Sequence, residues 1–229
     1  MELEILFQDE YLVAINKPHG LLVHRSKIAN DANEFAVQIL RDQIKQVVHP
    51  VHRLDRKTSG ILLFGLSSEI NSIMQQQFMN REVTKKYLAF VRGHIEEVGT
   101  IDYPLKKEDG TEQEAVTHFK LLKRGELPFP SGKFDSSRYS FIELNPETGR
   151  MHQIRRHLAH VFHPIIGDRP HGCNKQNKLF LERLNMNTML LHASELSFTH
   201  PITKDKIELK APIHSEFQRV LDLEELSLK

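Results

Sequence analysis

Short apolar runs recur along the chain between polar stretches, and this pattern predicts many strands. The runs at 3–7 and 11–15 flank the polar triplet Gln8-Asp9-Glu10, which predicts a strand pair joined by a tight turn. Further apolar or β-prone runs predict strands at 61–64, 87–91, 114–122, 138–144, 190–198 and 206–209. Proline and glycine between 125 and 137 predict a loop.

Apolar residues at helical spacing predict helices between these strands. The spacing indicates one helix over 35–47 and another over 67–78, where Ser67 can act as the N-terminal cap. A third helix is predicted to open at Gly149 and to end at Pro164, and a fourth covers 214–223. The apolar stripe of the third helix consists of Met151, Ile154, Leu158 and Val161. Strands with interspersed helices predict a mixed α/β (α+β) fold, a single sheet domain over residues 1–229.

Composition narrows the class of protein. Hydrophobic residues make up 39% and charged residues 27% of the 229 residues, which is typical of a globular fold, and no apolar run approaches the roughly 20 residues of a membrane span. Acidic residues near the start exclude a secretory signal. The single cysteine, Cys173, excludes a disulfide framework or a cysteine zinc site within one chain and indicates the cytoplasm.

Net charge is only +1, which argues against a protein that coats nucleic acid by bulk charge. The cations are nevertheless unevenly placed. Residues 149–175 hold four arginines or lysines besides Arg155, together with five histidines, and Asp168 is their only acid. This distribution predicts a local basic face.

Residues 52–60, with the sequence HRLDRKTSG, carry the clearest chemical signal. They place one carboxylate, Asp55, among the cations Arg53, Arg56 and Lys57. Neighbouring opposite charges favour the ionised form of the acid. The cations suit phosphates, while the carboxylate can act as nucleophile or base. A surface turn that carries a solvated ion pair could have the same residues. A protein-kinase catalytic loop and a phosphate-binding P-loop are not indicated, because the glycine-rich sequences that they require are missing from this chain.

Two further segments carry candidate functional residues. Tyr87 follows two lysines at the start of a predicted strand, so its ring either packs in the sheet or faces a polyanion. Residues 148–160 begin where a turn becomes a helix, an end that favours an anion. Arg155 lies at the border of the apolar stripe, whereas Arg156 lies further round toward solvent.

The histidines of this region suggest a metal site as an alternative. His152, His157, His160 and His163 include pairs at helical i and i+3 spacing, which can converge on a metal. However, the predicted helix contains no carboxylate, Arg155 and Arg156 would repel a cation, and no HExxH pattern occurs. We therefore expect polar packing and phosphate contacts, and no metal or other cofactor.

These segments together resemble the pseudouridine synthases, in the branch named after the ribosomal large-subunit enzyme A. Asn16-Lys17-Pro18-His19-Gly20, HRLDxxTSG, Lys86-Tyr87 and TGRxHQIR occur in the order of that family's motifs. The resemblance implies one catalytic domain, with a mixed, mainly antiparallel sheet flanked by helices and a central RNA-binding cleft. Because predicted strands begin at residue 3, we expect no appended N-terminal RNA-binding (S4) domain, which many relatives carry. RRHLAH and HPIIGD are similar to a tRNA-specific subgroup, which implies uridine-65 of tRNA.

The resemblance also implies a reaction and roles for residues. The bond from ribose C1′ to uracil N1 breaks, and the base turns and rejoins through C5. Asp55 would act at the sugar as nucleophile or base, and Arg155 would pair with it. Tyr87 would stack on the flipped uracil, Ile154 would line the pocket, and Arg53 would fill the space that the base leaves. Candidate contacts to the RNA backbone are Lys17, Arg56, Lys57, Arg150 and Arg156.

Several alternatives remain open at the level of sequence. The RNA target can be ribosomal RNA rather than tRNA. A non-catalytic RNA-binding module could use the same basic residues, but an acid at Asp55 would weaken its binding. A phosphoryl-transfer or metal-dependent enzyme would lose activity in a chelator. We expect a monomeric cytoplasmic protein that needs no protein partner and does not bind a membrane.

Overall fold

The computed structural model describes residues 1–24, 34–130, 132–224 and 226. The chain forms two compact units, Met1–Lys85 with Ala193–His214, and Lys86–His192 with Ser215–Lys229. Both combine antiparallel strands with helices, which confirms the mixed α/β class. No helix among the described residues is long and apolar enough to cross a membrane. That the units act as a single catalytic domain around a central cleft stays a prediction.

The first unit is built on two strands that are buried on both faces. Its elements are β1 (Glu4–Gln8), β2 (Leu12–Lys17), α1 (Ala36–Ile44), β3 (His49–Pro50), β4 (Ser59–Gly65), α2 (Ser68–Met79), β11 (Leu191–Thr199) and β12 (Lys206–Lys210). The strand order is β1-β2-β4-β11, with β12 on β11 and β3 on β4. Apolar residues of β2 and β4 pack against α2 through Ile70 and Met74. β4 starts at Ser59, so this core fixes the end of the HRLDRKTSG segment.

The second unit contains a long hairpin. Its elements are β5 (Thr84–Arg92), β6 (Val98–Asp102), β7 (Leu105–Lys106), β8 (Glu112–Gln113), β9 (Val116–Leu127), β10 (Ser137–Pro146), α3 (Gln153–His160), α4 (Asn174–Leu184) and α5 (Ser215–Leu221). The strand order is β5-β10-β9-β6, all antiparallel, and β7 pairs with β8. Ile154 and Leu158 of α3 bury their side chains against apolar residues of β5 and β10. This contact fixes the inward face of α3.

All the predicted strands and helices are present, but some boundaries differ. β9 extends to Leu127, three residues into the segment predicted as a loop. α3 begins at Gln153 rather than Gly149, because His152 has a left-handed backbone (φ 54°) that a continuous helix cannot contain. Met151 therefore lies before the helix and is 53% exposed, so it is not part of the apolar stripe.

Candidate active site

Asp55 lies in a tight turn between β3 and β4. The Thr58 N–H donates to the Asp55 carbonyl oxygen at 3.0 Å. Leu54 and Thr58 are buried, so they anchor the turn on the core, whereas the charged residues between them are half-buried or exposed. Asp55 is half-buried. Of the cations that surround it in sequence, Lys57 is half-buried and Arg53 and Arg56 are exposed. The fold therefore holds a carboxylate beside cations at the protein surface.

Gly60 allows the strand after this turn to lie against β11. Its φ of 108° is a conformation that other residues rarely adopt, and an added Cβ would lie 2.2 Å from the Ala193 carbonyl oxygen. No side chain fits between these backbones. The last residue of the HRLDRKTSG segment is thus required by backbone packing.

Lys17 supports the Asp55 turn from inside the protein. Its ammonium group is fully buried and donates to the carbonyl oxygens of Pro18 (2.9 Å), Leu21 (2.9 Å) and Arg56 (3.2 Å). Burial lowers the pKa of Lys17 to about 7, although the charge of Asp55 opposes this shift. The prediction that Lys17 contacts the RNA backbone is therefore wrong. Its donors are used by the protein interior, where they join two loops.

His52 also has a structural position. Its Nε2 accepts a hydrogen bond from the Leu63 N–H at 3.1 Å, and its ring stacks on Phe78 with centroids 4.9 Å apart. Burial, with a smaller contribution from nearby Lys85, lowers the pKa of His52 to about 4. The ring is consequently neutral near pH 7, as its role as an acceptor requires. It ties the Asp55 segment to β4 and α2.

Tyr87 and Ile154 contact the same apolar cluster in the second unit. Tyr87 lies on β5 opposite Leu144 of β10 and is half-buried. Ile154, on α3, is 7% exposed and belongs to the cluster against which the Tyr87 ring packs. A tyrosine in this position combines sheet packing with a partly accessible ring.

The turn before α3 is held by the side chain of Gln153. Its Oε1 accepts from the Arg150 N–H (3.0 Å) and the Thr148 hydroxyl (2.6 Å), and its Nε2 donates to the Val116 carbonyl oxygen (2.9 Å). The Arg150 guanidinium donates to the Glu114 carbonyl oxygen at 2.9 Å. The Arg150 N–H, which lies near the helix end predicted to favour an anion, is thus bonded within the protein.

Arg155 is buried and forms a two-pronged ion pair with Asp168. Its Nε and Nη2 donate to the two carboxylate oxygens at 2.8 and 2.9 Å, and the side chains are only 6% and 1% exposed. Burial tends to raise the pKa of the Asp168 carboxyl, but the hydrogen bonds and charge of Arg155 outweigh it and hold the pKa below its usual value. Asp168 was not predicted as a site residue. Its position as the sole acid in a basic stretch was the available signal.

The predicted difference in burial between Arg155 and Arg156 is observed. Arg155 is 5% exposed, whereas Arg156 is half-buried and donates from Nη1 to the Lys106 carbonyl oxygen at 3.0 Å. Arg156 therefore anchors the end of β7 as well as presenting charge. The pairing of Arg155 with Asp55 stays a prediction.

The histidines around α3 have protein partners. His152 and His171 approach at 3.0 Å, His157 contacts Thr117 Oγ1 and the Tyr103 carbonyl, His160 stacks on Tyr103, and His163 contacts the Arg92 carbonyl. Within the described ranges, no three histidine, cysteine or acidic side chains converge as a metal-binding group. Polar packing, as expected, is one role of these residues.

Comparison with known proteins gives consistent matches over nearly the whole chain. A sequence model described as RNA pseudouridylate synthase matches residues 11–160. tRNA pseudouridine synthase C of Vibrio parahaemolyticus is 49% identical over 96% of this chain and 94% of the relative. The protein of that name from Haemophilus influenzae is 47% identical, over 96% and 97%.

Solved structures show the same architecture. Human RNA pseudouridylate synthase domain containing 4 is 26% identical with a TM-score of 0.73, over 99% of this chain and 94% of that chain. Human RNA pseudouridylate synthase domain containing 1 has a TM-score of 0.74 at 24% identity, over 93% and 84%. At that identity the second match supports the fold alone.

Proposed function

Since the chain belongs to the RNA pseudouridylate synthase family, an enzyme class that isomerises uridine to pseudouridine in RNA, we propose that its substrate is tRNA and its target uridine-65. One observation carries the choice of substrate: relatives named tRNA pseudouridine synthase C match 96% of this chain. The RRHLAH and HPIIGD segments support the same subgroup. Ribosomal RNA is the competing substrate.

We propose Asp55 as the catalytic carboxylate. It acts at ribose C1′, where breaking the glycosidic bond builds positive charge that a nearby carboxylate stabilises or traps. Support comes from the turn that holds Asp55 at the surface and from the buried Lys17 contacts behind it. After cleavage, the uracil turns and rejoins the sugar through C5, so that no redox step is required.

Base recognition is assigned to side chains around Asp55 and on β5 and α3. A stacked uridine must first leave its helix, at a cost of roughly a few kcal/mol. Arg53 is exposed, and in the described part of the chain its guanidinium has no hydrogen-bond or ion-pair partner, so it suits insertion into the vacated stack. Tyr87 stacks on the uracil and Ile154 lines its pocket. Phosphate contacts come from Arg56, Lys57, Arg150 and Arg156.

Arg155 is proposed as the basic residue that keeps Asp55 ionised and oriented. Its guanidinium is planar and permanently charged, so it can hold one carboxylate through two nitrogens and still present charge to another group. Support comes from its burial and from its fixed orientation against Asp168.

Incubation of the purified protein with unmodified tRNA, and separately with ribosomal RNA, followed by chemical mapping, tests the proposal. We expect pseudouridine at tRNA position 65, in a chelator and without nucleotide. Modification confined to ribosomal RNA would overturn the substrate but not the reaction. Binding without modification of either RNA would favour a non-catalytic module, and activity restored by zinc would favour a metal enzyme.

We propose that the enzyme is a cytoplasmic monomer. Cell fractionation tests the location, and solution scattering tests the oligomeric state.

A further inference from the structure

Several contacts within the segment from 165 to 177 hold Asp168 in place. The Asn177 side chain donates to the Asp168 carbonyl oxygen at 2.6 Å and accepts from the Gly167 N–H at 2.8 Å. The Asp168 N–H donates to the Ile165 carbonyl oxygen at 3.3 Å. Gly172 lies so close that an added Cβ would be 1.8 Å from the Asp168 carbonyl oxygen. Several independent contacts therefore set the position of one carboxylate.

That carboxylate also accepts a third hydrogen bond. Oδ1 accepts from the His171 N–H at 3.3 Å in addition to Arg155 Nη2. The His171 ring is 3.0 Å from His152, the residue that precedes α3. Asp168 is thus joined to Arg155 within α3 and, through His171, to the residue at the start of the same helix.

Stability alone is a weak reason for such a pair. Taking two charges out of water costs several kcal/mol per ion, and apolar residues of similar volume often give equal or greater stability. An ion pair made through Nε and Nη2, by contrast, fixes both the plane and the direction of the guanidinium. The orientation of Arg155 is what this arrangement specifies.

We propose that Asp168 is a positioning residue for the isomerisation, acting through Arg155. This inference rests on the proposed function, in which Arg155 orients Asp55. Asp168 touches neither uridine nor sugar; it removes the rotational freedom that a long arginine side chain would otherwise have. A misplacement of about 1 Å in a catalytic group can lower a rate by on the order of 10²-fold.

Asp168→Asn keeps the volume and removes the charge that fixes Arg155. With saturating tRNA we expect its single-turnover rate to fall by on the order of 10²-fold, while tRNA affinity changes less than about threefold, well under the tenfold that corresponds to 1.4 kcal/mol. Asp135→Asn, an exposed change in the same unit, is the matched control and should leave both values unchanged. If Asp168→Asn does not fold, Asn177→Ala, which loosens the segment but keeps the ion pair, should show a smaller rate loss at unchanged affinity.

A double-mutant cycle separates positioning from a general structural role. In an Arg155→Lys background the two-pronged geometry is already lost, so Asp168→Asn should lower the rate much less than in the wild type. An equal loss in both backgrounds would overturn the inference, as would full activity of a folded Asp168→Asn protein. Full activity of Arg155→Ala would instead refute the role of Arg155 in the proposed function.

Discussion

Lys17 Nζ lies 3.2 Å from the carbonyl oxygen of Arg56, so a buried ammonium joins the loop after β2 to the turn that carries Asp55. The Gly20 N–H donates to the same oxygen at 2.9 Å, and the Arg56 guanidinium donates back to the Gly20 carbonyl oxygen at 3.1 Å. These contacts span 36 to 39 residues of sequence. They make the geometry of the Asp55 turn dependent on residues 17–20.

Replacing Lys17 with methionine should destabilise the protein, because the carbonyl oxygens of Pro18 and Leu21 lose the Lys17 donor and that of Arg56 keeps only the Gly20 N–H. Each buried polar group that is left unsatisfied costs about 1–3 kcal/mol, and local movement of neighbouring groups offsets part of this cost. Chemical denaturation of wild type and variant measures the difference. A variant as stable as the wild type would contradict the buried position of the amine.

The same amine predicts how stability depends on pH. Burial lowers its pKa from 10.5 to about 7, so between these values the unfolded chain binds a proton that the folded chain does not. The contribution of Lys17 to stability should therefore increase as pH rises from about 7 toward 10. Across this pH range, the denaturation midpoint of the wild type should rise relative to that of Lys17→Met. A constant difference between the two proteins would argue against the lowered pKa.

His52 should remain neutral well below the pH at which an ordinary histidine ionises. Its pKa is lowered from 6.5 to about 4, so its contribution to stability is lost as pH falls through this interval. NMR titration of the ring nitrogens should show no protonation of His52 at pH 5.5. A midpoint near 6.5 for His52 would contradict the acceptor role of its Nε2.

Asp55→Asn should abolish pseudouridine formation and leave tRNA affinity within about tenfold, or roughly 1.4 kcal/mol. The amide preserves shape but cannot stabilise or trap a positive sugar carbon. Asp205→Asn, an exposed change in the same unit, provides the control. Measurable turnover by Asp55→Asn, in a preparation free of host enzyme, would contradict the assignment of Asp55 as the catalytic carboxylate.

Arg155→Ala should reduce catalysis more than binding, whereas Arg156→Ala should mainly weaken binding. Arg155→Ala also leaves Asp168 buried without its partner, a loss of typically about 3–5 kcal/mol, so its folding must be checked by thermal denaturation. Single-turnover rates and tRNA affinities of both variants separate the effects. Equal rate and affinity losses in the two proteins would contradict the different burial of the two arginines.

The helices and strands that could be predicted from the sequence are those whose buried residues form a continuous or periodic apolar pattern. β2, β4 and β5 read as apolar runs, and α3 keeps Ile154 and Leu158 in phase. α4 was not predicted, because its only large buried apolar side chain is Phe180 and no stripe results. β6 was missed for a similar reason, since Ile101 is its only buried residue.

Within the candidate site, local motifs located Asp55, but they could not show which cations face inward. Lys17 and Arg53 are both basic residues near turns, and only the fold reveals that Lys17 is enclosed and Arg53 exposed. The Arg155–Asp168 pair joins residues 13 positions apart across a helix end and a loop. Helical periodicity ends before Asp168, so it could not have indicated this contact.

The buried amine of Lys17 has a consequence for chemical labelling. Full burial keeps an acylating reagent away until the loop opens, and opening removes the burial that lowers the pKa of this amine to about 7. Once exposed, the amine reacts as a typical surface lysine does. The rate of Lys17 acylation, measured by mass spectrometry, therefore reports local opening beside Asp55 without any substrate.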